Sequence, residues 1–100
     1  MKKIVLVCVA GMSTSLLVER MKKAAAEESY ECEIIAYPVV EAPNVVPTAD
    51  VVLLGPQVKY MLSRLQKDYP DKQIEAIDMR VYGMIDGQKA LAQARKAMQE

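Results

Sequence analysis

The residues best suited to chemistry surround a single thiol, that of Cys8. Cys8 follows the apolar and largely β-branched run Ile4–Val7, which predicts a buried strand. The next segment consists mostly of small and hydroxyl-bearing residues, and a helical pattern begins after it at Leu16. The residues of this segment are Val9, Ala10, Gly11, Met12, Ser13, Thr14 and Ser15. Backbone N–H groups converge at such a strand–loop–helix junction, where they stabilise an anion or a thiolate. The pattern therefore predicts phosphate chemistry on sulfur, with residues 9–15 as the phosphate-binding loop.

The two cysteines of the chain invite different interpretations. A free cysteine is often buried as a small apolar residue, so Cys8 could simply end a core strand. The loop that follows it favours the functional interpretation. Cys32 begins a later strand without such a loop, and we predict a structural role for it. The hydroxyls of Ser13–Ser15 suit helix capping as well as phosphate binding.

The spacing after Cys8 also bears on the reaction. Cysteine-dependent phosphatases place an arginine six positions after the cysteine, followed by serine or threonine. Thr14 and Ser15 stand at the equivalent places here, so the hydroxyl fits and the arginine is missing. That arginine would clamp the phosphoryl oxygens as charge builds in the transition state. The loop is therefore equipped to accept and hold a phosphoryl group rather than to hydrolyse it.

Composition limits the function further. The chain has 100 residues, 52% of them hydrophobic, and a formal net charge of zero, which disfavours nucleic acid or an anionic membrane as partner. There is no histidine, so Cys–His and Ser–His–Asp catalysis and the commonest zinc ligand are excluded. We expect no cofactor, metal or disulfide. Without a membrane span or signal-peptide pattern, we expect a soluble cytoplasmic protein.

Strands and helices are predicted to alternate. The predicted strands are Ile4–Val7, Cys32–Tyr37, Val51–Leu54 and Ile74–Ile77. The predicted helices run from Leu16 to about Glu28, from Val58 to Tyr69, and from Gly87 to Met98, the last with Asp86 as its N-cap. The proline-rich residues 38–48 read as a loop with a possible turn of helix, and residues 78–86 read as a loop.

This alternation predicts an α/β fold with a four-stranded parallel sheet and three helices on both faces, formed by residues 1–100 as one domain. Ligands of such sheets bind outside the carboxyl ends of the strands. Cys8, Gly55–Gln57 and Tyr82 should therefore lie at one rim. In isolation, Gly55, Pro56 and Gln57 are an ordinary strand terminator, and Tyr82 could be a core tyrosine with its hydroxyl at the surface.

Three segments carry a family resemblance: residues 8–17, residues 49–58, and Tyr82-Gly83 with Asp86-Gly87. Together they resemble the enzyme IIB component of the bacterial phosphoenolpyruvate-dependent sugar phosphotransferase system, in its lactose/cellobiose/chitobiose branch. The resemblance covers essentially the whole chain, with its segments in the right order and spacing. It implies a flavodoxin-like fold, similar to that of low-molecular-weight phosphatases.

The resemblance also implies a mechanism. Such a protein takes a phosphoryl group from a phosphohistidine of the IIA component and passes it to a sugar bound at the membrane IIC component. Cys8 would then be the catalytic nucleophile, and Val9, Met12, Tyr82 and Met84 would belong to the docking surface. We expect a monomer that visits the inner face of the membrane through IIC, with a β-disaccharide such as cellobiose or chitobiose as the sugar. The alternatives are a small cysteine phosphatase or arsenate-reductase-like enzyme, and a non-enzymatic thiol sensor.

Overall fold

The strands and helices alternate along the chain as the sequence predicts. The computed structural model describes the backbone of residues 1–9 and 12–100 and the side chains of residues 1–9 and 14–100. Within these residues the strands are β1 Lys2–Cys8, β2 Cys32–Pro38, β3 Val51–Leu54 and β4 Gln73–Ala76. The helices are α1 Met12–Glu27, α2 Ala42–Val45, α3 Leu62–Asp68, α4 Met79–Gly83 and α5 Gly87–Ala97. The predicted α/β class is confirmed, with α1, α3 and α5 as the three longer helices.

The four strands form one parallel sheet in the order β2-β1-β3-β4. β1 is therefore central, with β2 on one side and β3 on the other. The chain leaves β1 toward β2 and then crosses back over β1 to reach β3. This reversal creates a switch point between the carboxyl ends of β1 and β3, which is the place where sheets of this type bind ligands.

Both faces of the sheet are covered. On one face, α1 and α5 pack on alternate strand residues in a cluster that includes Leu17, Met21, Leu91, Ile4, Leu6 and Leu53. On the other face, the α2 region and α3 pack on the intervening residues in a cluster that includes Val5, Val7, Val52, Val46, Val58 and Leu65. Burial on both sides explains why Ile4–Val7 of β1 and the whole of β3 are apolar instead of alternating with polar residues.

α1 and α5 approach each other very closely at Gly87. A Cβ atom at this position would lie 2.4 Å from the backbone carbonyl carbon of Arg20 and 2.5 Å from its oxygen. Only the hydrogen of glycine fits there, so Gly87 sets the distance at which the two helices pack.

Of the two segments predicted as loops, one agrees with the structure and the other differs from it. Residues 39–48 form two 3-10 turns that flank α2, which matches the predicted loop with a turn of helix. The prediction of a loop over residues 78–86 is wrong for Met79–Gly83, which form α4. Five residues are too short to show helical periodicity, and the helix depends instead on its Asp78 cap.

Helix bounds also shift. α1 starts at Met12 rather than Leu16, and the predicted second helix is a 3-10 segment, Pro56–Met61, followed by α3. In the described part of the chain, no helix has both the length and the apolar character needed to cross a membrane.

Candidate functional site

Cys8 lies at the switch point of the sheet. It is the last residue of β1, pairs in register with Pro38 of β2, and is 6% exposed. Its Sγ atom lies 3.9 Å from the carbonyl oxygen of Tyr37, a weak contact for a thiol donor. The thiol is therefore placed at the carboxyl edge of the central strand, close to the surface but largely covered.

The N-terminus of α1 lies four positions after Cys8 in the chain. Because α1 begins at Met12, its first-turn N–H groups lack partners within the helix and bear partial positive charge. Val9 and Ser15 are exposed, whereas Thr14 is buried, with 3% of its surface accessible. The predicted loop residues Ala10 and Gly11, and the side chains of Met12 and Ser13, lie outside the described residues.

Gly55 allows three side chains at this rim to approach one another. It follows β3, and its N–H donates to the Val7 carbonyl oxygen at 2.9 Å. A Cβ atom on Gly55 would lie 3.6 Å from the Cβ of Cys8, 3.6 Å from the Cε1 of Tyr82 and 3.0 Å from the Oε1 of Gln57. The structure thus brings together Cys8, Gly55, Gln57 and Tyr82, which the sequence places at one rim.

The hydroxyl of Tyr82 joins three segments of this rim. Its Oη lies 2.9 Å from the Thr14 Oγ1 in α1, within hydrogen-bond distance. The Gln57 Nε2, in the 3-10 segment after β3, donates to the same Oη at 3.5 Å. The sequence predicts Tyr82 at the rim but not its pairing with Thr14, since no spacing pattern links two residues so far apart in the chain.

α4, which carries Tyr82, is fixed at both ends. The Asp78 carboxylate accepts hydrogen bonds from the N–H groups of Arg80 and Val81 at 2.9 and 3.2 Å. At the other end, Ile85 adopts a left-handed φ of 51°, and the Arg20 guanidinium donates to its carbonyl oxygen at 3.1 Å. A β-branched residue is strained in this conformation, so the surrounding contacts must hold it there.

The remaining predicted rim residues are more peripheral. Pro56 is half-buried and opens the 3-10 segment after Gly55. Met84 is 71% exposed. It lines a groove of about 750 Å³ between β4, α4 and α5, together with Asp78, Arg80 and Lys89. Met84 is therefore available to a partner but belongs to a different concavity from the thiol.

Cys32 lies at the opposite edge of the sheet, because it begins β2 and pairs with Lys2. Partial burial raises the pKa of its thiol, an effect that Glu100 increases and Arg95 opposes. Cys32 therefore lies far from the switch point, and its structural role stays a prediction. Among the residues that the structure describes, no cluster of three or more histidine, cysteine or acidic side chains could hold a metal ion.

The fold and the position of Cys8 define a class of protein: a small, doubly wound α/β domain with a thiol at its switch point. The sequence comparisons are more specific. Residues 3–93 match the family described as the lactose/cellobiose-specific IIB subunit of the phosphotransferase system. The chain belongs to this family, and IIB components act as phosphotransferases of the sugar-transport system.

Curated relatives extend over almost the whole chain. It is 49% identical to the oligo-beta-mannoside-specific component of Bacillus subtilis over 98% of this chain and 97% of that one. The galactose-specific component of Lactococcus lactis subsp. cremoris is 43% identical, and the cellobiose-specific component of L. lactis subsp. lactis is 42% identical, each over 97% of this chain and 96% of its own.

Solved structures share the fold. The cellobiose-specific IIB component of Borrelia burgdorferi is 39% identical, with a TM-score of 0.81 over 98% of this chain and 92% of that one. The lactose-specific IIB domain of Streptococcus pneumoniae has a TM-score of 0.86 at 17% identity, over 96% of both chains. A mutant of YwlE from B. subtilis has a TM-score of 0.65 at 17% identity, over the full length of both chains. The last two likenesses concern the fold alone.

Proposed function

We propose that this protein is a phosphocarrier that receives a phosphoryl group on Cys8 from a phosphohistidine of its IIA component. The observation that carries the proposal is the position of Cys8 at the end of β1, with the N-terminus of α1 starting at Met12. Unpaired N–H groups and the helix dipole stabilise both a thiolate and the phosphoryl group that it would carry. In this proposal residues 9–15, which include the first turn of α1, bind the phosphoryl group.

The transfer occurs in two displacements. The Cys8 thiolate attacks phosphorus, the S–P bond forms as the N–P bond of the phosphohistidine breaks, and the electron pair returns to the imidazole of IIA. A hydroxyl oxygen of the sugar bound at IIC then attacks the same phosphorus. The S–P bond breaks, the thiolate leaves, and the hydroxyl proton is released. No histidine is needed on this chain, because the phosphohistidine belongs to the partner.

A phosphatase role is disfavoured by Thr14. It occupies the place of the phosphatase arginine, it is 3% exposed, and its hydroxyl pairs with Tyr82 instead of supplying a cation. Without a guanidinium to neutralise the transition state, attack by water on the phosphocysteine lacks its main electrostatic support. The phosphorylated form should therefore persist until an acceptor sugar removes the group.

Docking of IIA and IIC uses the surface around this rim. Val9 is 55% exposed next to Cys8 in the chain, and Met84, just after α4, is 71% exposed. Thioether and small apolar side chains adapt to more than one partner, which suits a carrier that binds IIA and IIC in turn. We propose that the protein works as a monomer in the cytoplasm and reaches the inner face of the membrane through IIC.

The sugar is proposed to be a β-disaccharide such as cellobiose or chitobiose. Support comes from the cellobiose-specific relative of L. lactis and the oligo-beta-mannoside-specific relative of B. subtilis, whose named sugars are both β-linked. The galactose-specific relative indicates that sugar preference varies among proteins of similar sequence. This is expected where the membrane component selects the sugar.

The test is phosphorylation with phosphoenolpyruvate, enzyme I, the histidine phosphocarrier and a matching IIA, followed by mass spectrometry. The wild type and the Cys32→Ser control should each take up one phosphoryl group, and Cys8→Ser should take up none. Uptake by Cys8→Ser equal to that of the wild type would place the phosphoryl group elsewhere and overturn the proposal.

A further inference from the structure

We propose that Tyr82 is a positioning residue: its hydroxyl orients the hydroxyl of Thr14 toward a phosphoryl group on Cys8. This inference rests on the proposed function. It gives Tyr82 a different role from the docking role that the family resemblance implies. The observation behind it is the hydrogen-bonded set of Gln57, Tyr82 and Thr14 beside the thiol.

The proposal assigns a direction to each hydrogen bond of this set. The Nε2 of Gln57 can only donate, so the Oη of Tyr82 accepts from it at 3.5 Å. The hydroxyls of Tyr82 and Thr14 lie 2.9 Å apart, and in the proposal the Tyr82 hydroxyl donates to the Oγ1 of Thr14. With its oxygen accepting from Tyr82, Thr14 keeps its own proton for a third group.

Burial limits what that third group is. Thr14 is 3% exposed, so its hydroxyl has little access to bulk water. It lies in the first turn of α1, close behind Cys8 in the chain. A buried hydroxyl that has a proton to donate in this position is suited to an oxygen of the phosphoryl group, because such charge-assisted bonds are stronger than neutral ones.

The ring of Tyr82 lies on the same side of Gly55 as Cys8. Its Cε1 and the Cβ of Cys8 each lie 3.6 Å from the position that a Cβ of Gly55 would occupy. Tyr82 is half-buried, and its ring packs against the cluster that contains α1 and α5. A residue that served docking alone would need neither a buried hydroxyl partner nor this contact.

The distinguishing variant is Tyr82→Phe, which keeps the ring and removes the hydroxyl. Single-turnover transfer from phosphorylated IIA is measured over a range of IIA concentrations. We expect the maximal rate to fall about five- to tenfold, the effect of one hydrogen bond lost in the transition state, while the half-saturating IIA concentration stays unchanged. Tyr60→Phe is the matched control, since Tyr60 is 74% exposed and should behave as the wild type.

Further variants separate positioning from a structural role. Thr14→Val should reproduce the fall in the maximal rate, whereas Thr14→Ser, which keeps a hydroxyl, should retain most of the wild-type rate. The double variant Tyr82→Phe/Thr14→Val should be no slower than Thr14→Val alone, because both changes interrupt the same chain of hydrogen bonds. A raised half-saturating concentration with an unchanged maximal rate would assign Tyr82 to docking and overturn the proposal. Losses that multiply in the double variant would also overturn it.

One readout does not depend on phosphoryl transfer. In proton NMR of the unphosphorylated protein, the hydroxyl proton of Tyr82 should exchange slowly with water, and it should exchange faster in Thr14→Val. Equal exchange in the two proteins would contradict the positioning role. If the wild type accepts no phosphoryl group at all, the proposed function fails, and this NMR comparison still decides whether Tyr82 holds Thr14.

Discussion

Replacement of Gly87 by alanine should destabilise the protein through the contact between α1 and α5. The added methyl carbon would lie 2.4 Å from the Arg20 carbonyl carbon, whereas ordinary contacts begin at 3.4 Å. The neighbouring atoms are backbone and cannot rotate away, so the two helices must separate by about 1 Å. That shift disturbs the packing of buried Leu17, Met21 and Leu91 between the helices and the sheet.

The size of the effect follows from overpacking in a well-packed core, which costs about 1–3 kcal/mol. For a domain of this size, such a loss lowers the Tm by roughly 5–20 °C. Because small domains are stable by only about 5–15 kcal/mol, the change should be evident in urea unfolding monitored by circular dichroism.

Gly83 supplies the matched control. It lies in α4, and a Cβ on it would meet nothing within 4 Å. Gly83→Ala should therefore leave stability unchanged or raise it by up to about 1 kcal/mol, since alanine favours a helix more than glycine does. If Gly87→Ala were as stable as Gly83→Ala, the close approach of α5 to Arg20 would be wrong.

Three further predictions concern other parts of the molecule. Ser29 lies just after α1 and has a left-handed φ of 53°, a conformation that favours glycine. Ser29→Gly should therefore raise the free energy of unfolding by about 0.5–1 kcal/mol in urea titrations, whereas Ala26→Gly, within α1, should lower it. Burial, and then the hydrogen bond to Glu100, raise the pKa of Tyr30 above its ordinary value of 10. The folded chain therefore holds the Tyr30 hydroxyl proton more tightly than the unfolded chain does, so the free energy of unfolding should decrease as the pH rises above 10. Tyr30→Phe should lose less stability than the wild type over the same pH range. Gly55→Ala places a methyl group 3.6 Å from the Cβ of Cys8 and 3.0 Å from the Oε1 of Gln57. Transfer from phosphorylated IIA should therefore slow roughly tenfold with little change in Tm. An unchanged rate would mean that the space beside Gly55 is not needed for transfer.

The sheet could be predicted from the sequence because its strands are strongly patterned. Val51–Leu54 is an unbroken apolar run, and it forms β3 with the predicted bounds. Burial on both faces produces such runs, so the parallel sheet and its covering helices follow from them. The position of Cys8 at the carboxyl edge followed from the same pattern.

The details of the site depended on contacts that no local pattern encodes. α4 escaped prediction because five residues show no periodicity, although Asp78 is a good N-cap. The pairing of Tyr82 with Thr14 joins segments that are distant in the chain, and only the folded sheet brings them together. The closeness of Gly55 to Cys8 likewise depends on the pairing of β1 with β3.

The central claim is that Cys8 carries a phosphoryl group from IIA to a sugar. The most direct measurement isolates the protein labelled with a radioactive phosphoryl group and mixes it with membranes that contain a matching IIC and cellobiose. With sugar present, we predict that the label leaves Cys8 as fast as labelled sugar phosphate appears, and that little inorganic phosphate forms. Without sugar, we predict that the label stays on Cys8. Release of the label as inorganic phosphate at the same rate with and without sugar would contradict the account and indicate a phosphatase instead.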